Sequence, residues 1–308
     1  MPKIVATSTS FSQHPVLQAE IRALFPEARL NEQGRKLRGD ELLAHIEGAE
    51  GLVVGLEPIT EALLAANPQL QIVSKYGVGL NNVDLAACER RGVAIGWTGG
   101  VNKRSVSEMA LGYMLMLNRN LYQTSNLLKA GTWLKRGGRL LTGKTVGIIG
   151  LGHTGKDLVR LLQPFGCRIL VNDIIEQSDY YAANGLEEVD KPTLFREADI
   201  VSIHTPYDDS TAHLVDLEVL KSMQPHAFLL NTARGGIIDE YALKTALRKG
   251  YIAGAAVDAY LEEPPTDVEL LRLPNLICTP HIGGNAEEAV LAMGRSAIGH
   301  LCEFYGLA

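Results

Sequence analysis

The sequence is short of the residues that disulfide-built, zinc-built and membrane-built proteins depend on. It holds four cysteines, Cys88, Cys167, Cys278 and Cys302, and no two share CxxC spacing, so neither a metal knuckle nor a disulfide framework is expected. Cys167 and Cys278 sit in apolar, strand-like runs where a thiol is packing material, which suits a reducing cytoplasm. Long hydrophobic runs are missing as well. The longest, MALGYMLML from Met109, falls far below the roughly 18 residues of a membrane span, and no apolar stretch follows a basic start. Positive charge is not in excess either: a net charge of −6 excludes any overall pull toward phosphate backbones or anionic lipid. The basic clusters Arg35, Lys36, Arg38 and Lys135, Arg136, Arg139, Lys144 read as solvated faces. These absences leave a cytoplasmic protein whose partner is a small molecule, with no nucleic acid and no membrane.

What is present is the composition of a folded chain, 46% hydrophobic and 21% charged over 308 residues, enough for two domains. From the start, β-rich runs (KIVATS, GLVVG, QIVSKYG, VAIGW) alternate with helical patterns such as HPVLQAEIRALF and VDLAACERRG. A second series follows Thr145, with six apolar strands, TVGIIG, RILVND, IVSIH, AFLLNTA, IAGAAVDAY and LICTP, joined by stretches such as KDLVRLLQPFG and DEYALKTALRKG. Such alternation predicts α/β architecture with a doubly wound parallel sheet, because parallel strands need crossovers and bury both faces. Between the series lies an amphipathic helix, Asn102 to Asn120, with Ser105 and Glu108 at capping-box spacing. The last helical stretch, after Pro280, has no strand left to follow in the second series and is expected to return to the first domain. The expected division is 1–101 with 283–308 as one domain and 102–282 as an inserted second.

The segment TVGIIGLGHTG reads as a dinucleotide-binding turn. Gly150 makes the tight turn, Gly152 lets the backbone approach a pyrophosphate, and Gly155 lets the helix pack on its strand. The next strand ends at Asp173, eighteen residues past Gly155, where a carboxylate accepts bonds from the adenosine ribose hydroxyls. Its neighbours Ile174, Ile175 and Glu176 offer no cation to a 2′-phosphate, which favours NAD over NADP.

Three further stretches end on chemically active side chains: NTARGG with Arg234, DAYLEEPP with Asp258 and Glu263, and TPHIGG with His281. Each follows a strand whose carboxyl end faces the ligand crevice of such a sheet. Reduction of a 2-keto acid by hydride builds charge on the carbonyl oxygen, so a histidine is suited to deliver the proton. A carboxylate beside it favours the charged form and fixes the tautomer. Arginine grips a substrate carboxylate through two parallel bonds and so orients the keto carbon.

Taken together, KYGVGLNNVDLAACERRGV, GIIGLGHTG, IVSIHTP, LLNTARGGIIDEYAL, AAVDAYLEEPP and TPHIGG resemble the D-isomer-specific 2-hydroxyacid dehydrogenases, with 3-phosphoglycerate dehydrogenase-like members nearest. The resemblance implies a Rossmann-type NAD domain inserted in a flavodoxin-like substrate domain, an NAD-dependent oxidoreductase acting on a small D-2-hydroxy acid or 2-keto acid, and a homodimer. It implies that Arg234, Glu263 and His281 are catalytic, with Arg234 also binding the substrate carboxylate. It places His153, Thr154, His204, Thr205, Pro206, Thr232 and Ala233 along the cofactor beside the three glycines and Asp173, and Asp258 on the nicotinamide carboxamide. It also implies that backbone at Val78 and Gly79 helps hold the substrate carboxylate, and it implies no metal. Several positions depart from the family pattern. Gly55 stands where many phosphoglycerate dehydrogenases place an arginine that reaches the substrate, which weakens the expectation of 3-phosphoglycerate: either Lys75 supplies the charge instead, or the substrate lacks phosphate, as in hydroxypyruvate or glyoxylate reduction. His153 and Thr154 replace the commoner Arg-Ile. An NAD(H)-sensing corepressor-like binding protein is the alternative from another class, since such proteins retain the Arg-Glu-His set.

Overall fold

The short apolar runs become strands, and every one of them pairs in parallel. The computed structural model describes residues 1–307. These fall into two units, Met1–Asn102 with the stretch from Asn285 onward, and Lys103–Gly284, each built round its own sheet. In the first unit β1 (Ile4–Ala6), β2 (Arg29–Leu30), β3 (Gly51–Val54), β4 (Ile72–Lys75) and β5 (Ala94–Gly96) lie in the order β2-β1-β3-β4-β5, the flavodoxin-like arrangement. The second unit contains β6 (Thr145–Ile149), β7 (Arg168–Asn172), β8 (Glu187–Glu188), β9 (Ile200–Ile203), β10 (Phe228–Asn231), β11 (Gly254–Val257) and β12 (Leu276–Cys278). Their order is β12-β11-β10-β9-β6-β7-β8, the doubly wound Rossmann order with β12 added at one edge.

Two strands are additions to the sequence reading, which expects four in the first series and six in the second. Both β2 and β8 are two-residue edge strands. The Glu187–Glu188 pair is fully polar and exposed, so no apolar alternation marks it, and charge at an edge is what discourages further pairing. It is held by Arg168, whose Nε and Nη2 reach the two Glu187 oxygens at 2.9 and 2.6 Å.

Alternate residues along a strand point to opposite faces, so each sheet sends side chains into two cores. In β1, Ile4 and Ala6 enter one cluster with Phe11, Leu17 and Leu301, while Val5 enters the other with Leu42, Leu52 and Val73. Helix Glu287–Tyr305 closes the first of these faces: Ser74 Oγ donates to Ala297 O at 2.7 Å, and Gly294 leaves room for Leu17. The helices begin where side-chain oxygens are available. Asp190, Asp216, Asp239 and Asp267 each accept a backbone N–H at a helix start, satisfying donors that have no intrahelical acceptor. Among the described residues no helix is long and apolar enough to cross a membrane.

One helix differs from the capping expectation. The first helix of the second unit runs Lys103–Asn118, so Ser105 lies inside its first turn rather than ahead of it. Its hydroxyl donates to Gly283 O at 2.6 Å, a tertiary bond rather than a cap on its own helix. The same helix binds Asp157, which is 2% exposed on the helix His153–Leu162 that opens the nucleotide turn. Arg104 meets Asp157 with Nε and Nη2 at 2.8 and 2.9 Å, and Ser107 Oγ adds a bond of 2.5 Å. Burial opposes ionisation of this carboxyl, but the guanidinium and the hydroxyl outweigh it and hold its pKa below the usual value. A depressed carboxyl pKa contributes stability above the unfolded value and loses it as pH falls through the folded one. Replacing Asp157 by Asn is therefore expected to lower the melting temperature at pH 7 by about 2–4 °C. The difference from wild type should close below about pH 4; a gap that stays constant across a pH series of thermal scans would contradict the assignment.

Candidate active site

Parallel strands deliver all their following loops to one edge of the sheet, and the chemically active residues of the second unit lie there. The sheet reverses its winding between β6 and β9, the point at which such folds bind ligand. There the turn after β6 meets the loop after β9. A Cβ on Gly150, whose φ is +91°, would lie 2.8 Å from the carbonyl carbon of His204, and one on Gly155 would lie 2.3 Å from Gly150 O. Both positions are closed to any side chain by backbone. Gly152 is the opposite case, because nothing lies within 4 Å of where its Cβ would be. It caps helix His153–Leu162 without a side-chain bond, which leaves the helix start uncovered at the place where an N-terminus can receive an anion. Asp173, at the end of β7, accepts from Leu151 N and, at 2.8 Å, from Ile175 N.

The remaining lining is also consistent with a dinucleotide. Thr205 Oγ1 after β9 and Thr232 Oγ1 after β10 are buried without a hydrogen-bond partner, a costly state unless a ligand completes them. His204 pairs with Ser202 Oγ at 2.9 Å, and burial pushes its pKa down to about 4, so this ring is neutral at pH 7. Pro206 is exposed, and Ala233 N donates to Asn231 Oδ1 at 3.0 Å.

Arg234 follows β10 on a loop that two glycines allow to pack tightly. A Cβ on Gly235 would fall 1.9 Å from the Tyr260 carbonyl carbon, while Gly236 adopts a φ of +81° against the Tyr207 ring. The Arg234 loop thus lies directly on the loop after β11 that carries Glu263. Burial draws the Arg234 pKa below the arginine norm, and the charge of Glu263 opposes that shift; the group stays charged at neutral pH. Its Nη1 donates to Ala233 O at 2.7 Å, and it forms no contact ion pair among the described residues.

Glu263 is aimed by Tyr260 N, 3.2 Å from Oε1, and its two oxygens lie 2.8 and 3.0 Å from His281 Nδ1. The pair is partly open to solvent, with side-chain exposures of 42% for His281 and 41% for Glu263. His281 itself has a φ of +54°, a left-handed conformation that a residue with a Cβ adopts only under constraint. The sequence carries no signal for that feature.

Asp258, which the family resemblance sets on the nicotinamide carboxamide, also has partners within the protein. It is 1% exposed, and its oxygens accept from Ile282 N at 2.9 Å, from Gly283 N at 2.7 Å and from the Thr279 hydroxyl. The carboxylate therefore holds the His281 loop. Thr279 also bonds Tyr113 OH, and Tyr260 OH donates to Thr279 O at 3.0 Å. Sequence reasoning misses Tyr113, Thr279 and Tyr260, since a tyrosine in an apolar helix face and a threonine before Pro-His carry no mark of function.

Lys75, Val78 and Gly79 belong to the first unit. The Lys75 ammonium is buried and donates to Gly55 O and, at 2.7 Å, to Asn82 Oδ1, tying the loop after β3 to the loop after β4. Val78 and Gly79 lie partly exposed in that second loop, which Trp97 Nε1 braces at Val78 O with a bond of 3.0 Å.

Comparison with known proteins agrees with this geometry. The model for the D-isomer specific 2-hydroxyacid dehydrogenase, NAD binding domain, matches residues 111–283. A hydroxypyruvate reductase of Thermotoga maritima is 34% identical over 91% of this chain and 92% of its own. A D-3-phosphoglycerate dehydrogenase of Methanocaldococcus jannaschii is 37% identical over 84% of this chain, which spans only 50% of that relative. A solved protein of Thermus thermophilus superposes with a TM-score of 0.89 at 29% identity, covering 99% of this chain and 97% of that one.

The contrast among the glycines sets a test. Gly152→Val is expected to leave the melting temperature within a few degrees, since the space is open, and to weaken NADH binding by at least about tenfold by filling the cradle. Gly150→Ala is expected to impair folding itself, because backbone stands in the way. Fluorescence titration and thermal scans separate the two, and NADH binding by Gly152→Val at wild-type strength would show that the cradle lies elsewhere.

Proposed function

Because the chain belongs to the D-isomer-specific 2-hydroxyacid dehydrogenases, which are NAD-dependent oxidoreductases, we propose that Arg234, Glu263 and His281 carry the interconversion of a small D-2-hydroxy acid and its 2-keto acid. The observation that carries this reading is the Glu263–His281 pair near a half-buried guanidinium that forms no contact ion pair among the described residues. Bound NAD supplies the acceptor or donor of the hydride. Arg234 receives the substrate carboxylate in a two-bond grip, and that anion compensates its burial. With Nδ1 directed at Glu263, His281 has Nε2 free to give the carbonyl oxygen its proton during reduction and to take it back during oxidation. Glu263 offsets the imidazolium charge. Gly150, Gly152, His153, Thr154 and Gly155 cradle the pyrophosphate, Asp173 takes the ribose hydroxyls, and Thr205 and Thr232 complete their hydroxyl bonds to the cofactor. Val78 and Gly79 offer backbone N–H groups to the substrate carboxylate.

The substrate is an unphosphorylated 2-keto acid such as hydroxypyruvate. Gly55 has no side chain to meet a phosphate, and the Lys75 ammonium beside it is buried and engaged by Gly55 O and Asn82. The hydroxypyruvate reductase relative, matched over nearly the whole of both chains, supports the same choice.

In an NADH-oxidation screen, hydroxypyruvate or glyoxylate should turn over with a kcat/KM well above that of 3-phosphohydroxypyruvate. His281→Ala should lower kcat by roughly a hundredfold or more while NADH still binds, because proton transfer is lost and the cofactor cradle is not. Unchanged turnover in that variant would overturn the assignment.

We further propose that the active form is a homodimer. Leu121, Leu128, Trp133 and Leu140 are 50, 55, 78 and 63% exposed along one stretch of the second unit, an amount of apolar surface that a second copy of the chain would cover. Sedimentation velocity should give a dimer of the 33.4 kDa chain, and Trp133→Glu should shift it toward monomer. A wild-type protein that is monomeric at micromolar concentration would refute the dimer.

A further inference from the structure

The loop that presents His281 is gripped on both flanks by a helix that carries none of the residues assigned to the reaction. On the near flank, Tyr113 OH bonds Thr279 Oγ1, whose proton goes to Asp258 Oδ1. The direction of this chain follows from charge. An ionised carboxylate only accepts, so Thr279 donates to it and receives from the tyrosine, which burial keeps protonated by raising its pKa. On the far flank, Ser105 Oγ donates to Gly283 O at 2.6 Å. A Cβ on Gly283 would come within 2.9 Å of Asp258 Oδ2 and 3.3 Å of Met109 Cε, so the loop is seated against both the carboxylate and the helix. Between the two flanks lies His281 at a φ of +54°.

We propose that helix Lys103–Asn118 positions His281: Tyr113, acting through the Thr279 hydroxyl and the Asp258 carboxylate, holds the loop in the left-handed turn that sets the imidazole against Glu263. Without the strut the loop keeps its bonds only on the far side of His281, from Ile282 N and Gly283 N to Asp258 and from Ser105 to Gly283 O, and the left-handed turn is held from one side alone. Asp258 is the joint of the device. It collects the N–H groups of the two residues after His281 and the hydroxyl of the residue two before it, so its three bonds fix the backbone on either side of the histidine. Tyr113 and Thr279 are positioning residues, since neither is assigned a contact with substrate or cofactor. The same helix anchors the nucleotide helix through Arg104 and Asp157, so one rigid element references both the proton donor and the cofactor cradle. The inference rests on the reading of His281 as the acid/base.

The test uses Thr279→Val, which keeps shape and removes the hydroxyl, with Thr279→Ser as the restoring variant and Tyr113→Phe as a milder cut that spares the Thr279–Asp258 bond. Three quantities are measured: NADH affinity by fluorescence, kcat and KM with the best 2-keto acid, and the low-field proton NMR signal of His281 Nδ1–H, identified by its loss in His281→Ala. Thr279→Val should lower kcat roughly ten- to hundredfold, the scale on which small misplacements of a reacting group act. NADH affinity should hold within about twofold, and the low-field signal should vanish through exchange. Thr279→Ser should restore both rate and signal, and Tyr113→Phe should fall between. If Thr279→Val keeps its rate and its signal, or if Ser fails to rescue what Val loses, the strut does not position His281. Should no 2-keto acid be turned over by the wild-type protein, the assignment of the reaction fails, and the NMR signal alone still decides whether the strut orders the histidine.

Discussion

All strands of the second sheet point the same way, and this single constraint assembles the site. A parallel strand must be followed by a crossover, so the segments after β6, β7, β9, β10, β11 and β12 all leave from one edge. Residues as distant in sequence as Gly150, Arg234, Glu263 and His281 are thereby collected without any of the strands bending to reach the others. The reversal of winding between β6 and β9 opens the crevice in which loops diverge. The glycines decide how tightly the loops close around it, through Gly150 against His204 and Gly235 against Tyr260.

Charge inside this edge is handled in two different ways. Asp258 and Asp157 are almost fully buried, and their hydrogen-bonding capacity is taken up by the protein itself. They hold structure together because a buried carboxylate surrounded by donors resists any movement that would strip one away. Arg234, Glu263 and His281 are treated otherwise. The guanidinium is partly desolvated without a contact ion pair, and the histidine–glutamate pair remains open to solvent. Such an arrangement is tolerable in a protein that regularly receives an anion, and it leaves the groups available for exchange of protons.

Much of this is legible in the sequence, for reasons that can be stated element by element. The strands of both series are buried on two faces and so read as unbroken apolar runs, as TVGII does. Helix Glu240–Lys249 is bracketed by Asp239 at its start and Gly250 at its end, local signals that act through the backbone next to them. Of the three glycines of the nucleotide turn, only Gly155 meets its steric demand locally, at Gly150 O, while Gly150 meets the distant His204 backbone and Gly152 stands in open space. All three are nonetheless readable from their spacing after a strand. The edge strands β2 and β8 are not, since two residues carry no period. Ser105 has the spacing of a cap but not the role, because its true acceptor, Gly283 O, lies 178 positions away. Asp258 also bonds the His281 loop, which its sequence context does not signal, because those bonds form only once β11 and β12 are side by side.

By itself, then, the sequence determined the longer strands and most helices, where the glycine turn after β6 falls, and which side chains are capable of acid/base and carboxylate chemistry. Those properties depend on residue type and short spacing, and short-range sterics express them wherever the segment goes. Only the tertiary structure decided that His281 occupies a left-handed turn, that Asp258 and Thr279 hold it there, and that Tyr113 on another helix anchors the assembly. Those are contacts between residues far apart in the chain, made by common residue types, and no local pattern encodes them. They exist because close packing of parallel strands restricts where each loop can lie, and the bonds from Thr279, Ile282 and Gly283 to Asp258 then fix the conformation of this one.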